Sequence, residues 1–246
     1  NLSEYDGWWQ TVAVADVNGD GKQDLVLGNL GENFYLKPGK EDPVKLFLKD
    51  FDNNGQVDKI ITRSIDGKDK PVFMKTELES QMPFLKKQNL HYAVYAKKDI
   101  RELLGEEKLK GAVVKQINYA SSCIAVNEGK GVFRIQKLPV NIQLSSVKAI
   151  LPVDVNHDGF IDLVTGGNEF GFQPQLGRLD ASDGDILIND GKGNFAVMAQ
   201  ARSGISVPGQ TRNIVLLNRK ASMAVLFLQN NEFPVLYALK NKEAQH

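Results

Sequence analysis

Apolar runs of about five to eight residues recur along this chain, each closed off by a cluster of Gly, Asn and Asp. That spacing predicts many short antiparallel strands, because the closing residues supply the backbone conformations that tight turns need. Expected strands fall at 9–15, 24–28, 44–49, 59–64, 112–119, 123–126, 132–138, 147–153, 161–166, 186–189, 195–200, 212–217, 223–229 and 234–239. About fourteen strands make roughly three and a half four-stranded blades, so the class is all-β. One stretch, 76–110, departs from the pattern. Its charged residues, among them Glu77, Glu79, Lys86, Lys87, Lys97, Lys98, Arg101 and Glu102, alternate with Leu, Phe, Tyr and Ile. Two short helices are expected there as an insertion, with Asp99 and Glu102 as a capping box and Gly105 as a stop. The charge pairs of this stretch read as a solvated helix face.

Three segments share one register: Asp16-Val-Asn18-Gly-Asp20-Gly-Lys22-Gln-Asp24, Asp50-Phe-Asp52-Asn-Asn54-Gly-Gln56-Val-Asp58 and Asp154-Val-Asn156-His-Asp158-Gly-Phe160-Ile-Asp162. Oxygen-bearing side chains at positions 1, 3, 5 and 9, with Gly at position 6, suit a hard cation taking six to eight oxygens at about 2.3–2.6 Å. Calcium fits better than magnesium, which prefers rigid octahedral sites that keep several waters. The carbonyls of Lys22, Gln56 and Phe160 at position 7 complete each set, giving up to three ions. Without a cation, three carboxylates in one loop repel each other. An EF-hand opens with nearly the same residues but needs a bidentate Glu at position 12. Here Leu27, Ile61 and Thr165 occupy that place, so Asp24, Asp58 and Asp162 are the bidentate candidates. Turns alone need two or three such residues, not four in register three times.

The segments 127–133 and 189–195, Asn-Glu-Gly-Lys-Gly-Val-Phe and Asn-Asp-Gly-Lys-Gly-Asn-Phe, lie between expected strands and open no helix. They read as Gly-rich hairpin turns and not as phosphate cradles.

An apolar strand followed by D-x-N-x-D-G-x-x-D-L-V-x-G, at 14–28 and 153–166, resembles the FG-GAP/VCBS repeats of integrin-like propellers, and the two Gly-rich turns resemble the matching half of the VCBS repeat. The run from Gly167-Asn168 to Asp180 is similar to bacterial VCBS proteins related to the ASPIC/UnbV group, which are extracytoplasmic. The resemblance implies a β-propeller of four-stranded antiparallel blades, about four blades or part of a larger propeller, with calcium at the three loops. Residues 1–246 are then a single propeller domain or segment carrying the helical insertion. The loops at Asp16 and Asp50, close in sequence, are expected as two same-end turns of one blade. The opposite end carries the longer connection 168–185, with Phe170, Phe172, Arg178 and Asp180, and is the expected binding face. Arg178 and Asp180 also suit a plain ion pair.

Thirty basic and thirty acidic side chains cancel, which removes the overall electrostatic footprint of a nucleic-acid or anionic-membrane binder. A 42% hydrophobic fraction suffices for a sizeable core. The apolar runs fall far short of the ~20 residues that cross a bilayer, so no membrane insertion is expected. Asn1 is read as a processed terminus or a cut within a larger polypeptide. Cys123 lies in an apolar strand as a buried thiol. His91, His157 and His246 suggest no triad. These features favour a non-enzymatic module that engages a protein or glycan, and the resemblance of the loops to extracellular calcium-binding modules implies an extracytoplasmic place (secreted, periplasmic or cell surface). The rival is a calcium-dependent polysaccharide lyase or hydrolase on the same scaffold.

Overall fold

The structure, a computed structural model, describes residues 1–219 and 222–239. Its strands are β1 (Thr11–Ala15), β2 (Asp24–Gly28), β3 (Val44–Lys49), β4 (Asp58–Ile65), β5 (Lys68–Pro71), β6 (Val113–Ile117), β7 (Cys123–Gly129), β8 (Val132–Lys137), β9 (Val147–Val153), β10 (Asp162–Gly167), β11 (Asp185–Asn189), β12 (Phe195–Val197), β13 (Thr211–Arg219), β14 (Ser222–Gln229) and β15 (Val235–Leu239). Every apolar run expected as a strand forms one. The addition is β5, Lys-Asp-Lys-Pro, which lacks an apolar pattern because it is the edge of its sheet, where charge and Pro are tolerated. The strand expected at 195–200 stops at Val197, and Gln200–Ser203 forms a helical turn ended by Gly204 at φ 66°. In the insertion the expected helical character resolves into five short helices, α1 (Lys75–Gln81), α2 (Leu85–Gln88), α3 (Tyr92–Tyr95), α4 (Ile100–Leu104) and α5 (Glu106–Leu109), and not two. Pro83, the non-helical Asn89 and the extended His91 interrupt the helical path. Asp99 caps α4 as expected, its carboxylate accepting from the Glu102 amide at 2.8 Å while Glu102 accepts from the Asp99 amide at 2.8 Å.

The chain folds as two compact units. One comprises Asn1–Glu4, Trp8–Tyr35 and Ala120–His246; the other comprises Tyr5–Gly7 and Leu36–Tyr119. The first unit holds the antiparallel sheets β1-β2-β7-β8, β12-β11-β10-β9 and β13-β14-β15; the second holds β5-β4-β3-β6. Four-stranded antiparallel sheets of this kind are what FG-GAP propeller blades are made of. Among the described residues the three sheets of the first unit form an open row and not a closed ring. The loops beginning at Asp16 and Asp50 are therefore not two turns of one blade: β2 pairs with β7, whereas β3 pairs with β4 and β6. The reason is that the intervening 36–119 builds a core of its own, in which Phe47, Phe51 and Ile60 from the sheet pack against Leu78, Met82, Leu85, Ile100 and Leu103 from the helices.

In the first unit the middle sheet is apolar on both faces. Leu163 and Leu187 point toward Val26, Ile124 and Val126 of the first sheet, while their neighbours Val164 and Ile186 point toward Ile214, Val225 and Phe227 of the third. Period-two alternation thus makes one sheet the filling of two cores, and its β10 is buried at every position because both faces are covered. Close approach at the strand ends needs Gly. The start of β9 passes over Gly28 at the end of β2, and the Asn29 carbonyl accepts from the Val147 amide at 2.9 Å. The same corner recurs where the start of β13 crosses Gly166, whose added Cβ would meet the Thr211 methyl at 2.9 Å.

A methyl at Gly28 would collide with the Val147 carbonyl and lie 2.6 Å from Thr11 Cγ2. Gly28→Ala is expected to cost about 1–3 kcal/mol, the usual range for overpacking. Gly39→Ala, where nothing lies within 4 Å, should change denaturant unfolding by no more than about 0.5 kcal/mol. Equal midpoints for the two variants would remove close approach as the reason for Gly28.

Candidate functional site

Each aspartate loop is a tight turn built on side-chain acceptors. Asp16 accepts from the Gly19 amide (2.8 Å) through one oxygen and from Gly21 (2.8 Å) through the other. Asp50 accepts from Asn54 (3.0 Å) and Gly55 (2.8 Å), and Asp154 from Asp158 (3.2 Å) and Gly159 (3.0 Å). Position 3 repeats the device one step on: Asn18, Asp52 and Asn156 accept from the amide at position 5 at 3.0, 3.2 and 3.0 Å. The backbone must turn left-handed twice to bring these amides round. Gly21, Gly55 and Gly159 do so at position 6, and Gly19, Asn53 and His157 do so at position 4 with φ of 72°, 60° and 57°. Position 4 carries no ligand, so its demand is conformational, met by the residue types that best tolerate this region. His157 is exposed there, as is His91 in the second unit; His246 lies outside the described residues.

The aspartate at position 9 does different work. Asp24 and Asp162 are fully buried and Asp58 nearly so. Each reaches back to the amide of position 2: Val17 at 3.1 Å, Phe51 at 2.9 Å and Val155 at 3.0 Å. In the first unit each also reaches sideways. The other oxygen of Asp24 accepts from the Asn127 amide at 2.7 Å, and that of Asp162 from the Asn189 amide at 2.9 Å. Asn127 and Asn189 open the two Gly-rich turns, and their side-chain amides in turn donate to the Gln23 and Ile161 carbonyls at 3.0 and 2.9 Å. Loop and turn are therefore the two same-end turns of one sheet, clasped by an Asp and an Asn. Reading the Asn residues as turn formers missed this bridge. Their shared place at the head of both turns was the available signal.

Charge distinguishes the loops. Oxygens of Asp50, Asp52 and Asp58 lie within 4.8 Å of one another. Among the described residues the carboxylates of the other two loops do not converge as closely, because Asp20 turns to the Lys22 ammonium at 2.8 Å and Asp158 accepts from the Asn156 side chain at 2.8 Å. The salt-bridging hydrogen bond from Lys22 holds the Asp20 carboxyl below the ordinary carboxylate range. Burial raises the Asp58 carboxyl, and the charges of Asp52 and Asp50 push it the same way. Asp162 is raised by burial against the pull of its two amide donors, with Asp158 and Asp154 adding to the rise. The donor set is hard oxygen throughout, as calcium requires. The Phe160 ring covers Gly191 of the neighbouring turn.

At the other end of the middle sheet, Asn168 anchors the long connection, its side-chain amide donating to the Ser182 and Pro208 carbonyls at 2.7 and 2.9 Å. Arg178 lies over the Phe170 ring, 3.9 Å from its centroid, and only 4.0 Å from Asp180 with both partners exposed. Phe172 stacks on Phe34 at 4.5 Å, with Trp8 edge-on at 6.0 Å. Beyond it, Asp183, Asp185, Asn141, Gln200 and Ser203 line a cavity of about 430 Å³.

In chelator, Asp162→Ala strands the Val155 and Asn189 amides, each worth about 1–3 kcal/mol when buried without a partner, so a loss of about 2–5 kcal/mol is expected. Asp158→Ala, at an exposed residue, should lose under about 1.5 kcal/mol in the same metal-free denaturation. Asp185 gives a pH signature. Burial raises its carboxyl, with the charge of Asp183 adding to the rise and the Ser182 hydroxyl opposing it. A carboxyl raised on folding contributes stability below its unfolded pKa and loses that contribution as pH rises through the folded value. Asp185→Asn should therefore melt above the parent at neutral pH and with it in acid; a constant offset across pH would show that Asp185 titrates normally.

Residues 8–43, which run from before β1 through the first loop and β2, match the family model of the FG-GAP repeat. No curated protein matches the chain.

Proposed function

We propose that this chain is a calcium-stabilised, extracytoplasmic propeller segment that binds a protein or glycan without catalysing a reaction. The observation that carries the calcium reading is the convergence of Asp50, Asp52 and Asp58 within 4.8 Å. Oxygens sharing one ion at about 2.3–2.6 Å must lie within about 5 Å of each other. Asp50, Asp52, Asn54 and Asp58 with the Gln56 carbonyl would hold one ion. The equivalent sets Asp16, Asn18, Asp20, Asp24 with Lys22 and Asp154, Asn156, Asp158, Asp162 with Phe160 would hold two more, once Lys22 Nζ and the Asn156 side chain release their aspartates. Bound calcium supplies positive charge that offsets repulsion among the carboxylates.

Location follows from affinity: loops of this kind resemble extracellular modules that bind at about 10⁻⁴–10⁻³ M and so need a calcium-rich medium. The likeness of 167–180 to extracytoplasmic VCBS proteins related to the ASPIC/UnbV group supports the same reading. Ligand binding is assigned to the connection 168–185, where Phe170 and Arg178 form an exposed planar and cationic pair opposite the calcium end.

An ion that binds only the folded state adds about 2.7 kcal/mol at a hundredfold excess over Kd. Calcium should raise the melting temperature, chelator should reverse the rise, and titration calorimetry of Asp52→Asn should lose one site relative to the parent. A glycan and protein screen should give hits that Arg178→Ala weakens. Melting that ignores both calcium and chelator would end the proposal.

A further inference from the structure

A net charge of zero conceals one uneven stretch. Residues 84–98, Phe-Leu-Lys-Lys-Gln-Asn-Leu-His-Tyr-Ala-Val-Tyr-Ala-Lys-Lys, carry Lys86, Lys87, Lys97 and Lys98 and no acidic residue. Its two ends are built into the second unit. Leu85 is 1% exposed in the helical core, the Tyr95 hydroxyl donates to the Phe73 carbonyl at 2.8 Å, and buried Asn89 donates to the Leu85 carbonyl at 3.0 Å while accepting from Lys98 Nζ at 2.9 Å. Between these anchors the apolar side chains face out: Leu90 is 75% exposed, Tyr92 59% and Val94 43%. Tyr92 is steadied from below by Lys75, whose ammonium lies 5.1 Å from the ring centroid. Lys86, Lys87 and Lys97 are exposed on either flank.

Aliphatic tips presented on fixed anchors cost hydration and gain nothing inside the fold, so their position asks for an apolar phase outside it. Among the described residues Lys86, Lys87 and Lys97 on its flanks form no ion pair, while Glu79 is taken up by Lys75, and this asks for that phase to have an anionic boundary. A Tyr between the two matches the preference of that side chain for the boundary itself. We infer that residues 86–97 form a peripheral docking surface for an anionic lipid bilayer, with Leu90, Tyr92 and Val94 entering the headgroup layer and Lys86, Lys87 and Lys97 meeting lipid phosphates. The attachment is interfacial: among the described residues no helix is long and apolar enough to cross a membrane. A soluble polyanion would satisfy the lysines and leave Leu90 and Val94 in water. Charge summed over the chain argues against anionic membranes, yet the interaction decays within a Debye length, about 8–10 Å, so the local set decides.

The test is co-sedimentation of the whole chain with vesicles of equimolar phosphatidylglycerol and phosphatidylcholine, and of phosphatidylcholine alone, at one fixed calcium level. Binding is expected to the anionic vesicles and to be much weaker to the neutral ones. Each basic side chain near such a surface contributes about fivefold in partitioning, so Lys86→Glu/Lys87→Glu should weaken binding by more than about tenfold. Leu90→Ser/Val94→Ser should also weaken it, with an unchanged melting curve because both side chains lie outside the core. No binding by the parent overturns the inference. Binding that survives both double variants, as calcium bridging through the aspartate loops would give, overturns it too. Loss with the lysine variant alone would show a surface for soluble polyanions and not for lipid.

Discussion

A buried carboxylate that accepts main-chain amides from two directions holds the first unit together. Asp24 and Asp162 each close their own loop by accepting from position 2 and fasten the adjacent Gly-rich turn by accepting from Asn127 or Asn189. Hydrogen bonds to an ionised acceptor are worth roughly 1.5–3 kcal/mol, more than a neutral pair, and removing such an acceptor strands donors in a dry place. The repeat therefore depends on Asp at position 9 for its fold before any ion is considered. Asn189 extends the clasp to the neighbouring loop, since its side chain also donates to the Val17 carbonyl, which follows β1, at 2.7 Å.

The opposite end of the same strands is held by a different constraint, close approach. Gly28 ends β2 and Gly166 lies one residue before the end of β10, and the first strand of the next sheet starts over each. One repeat thus carries a polar clasp at one end and a small-residue corner at the other, fifteen or so ångströms apart by the ~3.3 Å rise of a five-residue strand. Loops beyond the corner are freed from the clasp, which is why the long connection at 168–185 can grow aromatic and charged side chains without disturbing the turns.

Much of this was legible from periodicity and turn chemistry. Strand boundaries followed the apolar runs closely because both faces of the middle sheet are covered, and Asp99 with Glu102 announced the α4 cap. Three features were not legible. Lys68–Pro71 lacks an apolar face and became a strand only through pairing with β4. The separation of the Asp16 and Asp50 loops into two units depends on β2 choosing β7 across a long sequence gap, a pairing that local spacing cannot signal. The Asn127 and Asn189 bridges are likewise non-local: a turn residue looks the same whether or not its amide meets a distant carboxylate.

The loops differ in how much of position 9 the fold consumes. Asp24 and Asp162 give both oxygens to amides, and in those loops the acid at position 5 has found a partner in Lys22 or Asn156. Asp58 accepts from the Phe51 amide, and its sheet offers no Gly-rich turn to fasten at that end, because β5 pairs along the far half of β4. With the acid moved from position 5 to position 3, Asp52 joins Asp50 and Asp58. A carboxylate has about four lone-pair sites, so an amide bond and a metal can share it. In the first and third loops an ion would reinforce a structure that its aspartates already hold, whereas in the second it would supply the lateral bond that the fold leaves out. The same nine-residue register is therefore fastened sideways in the first unit by Asn127 and Asn189, and the strand that lies next to it decides whether such a partner is at hand.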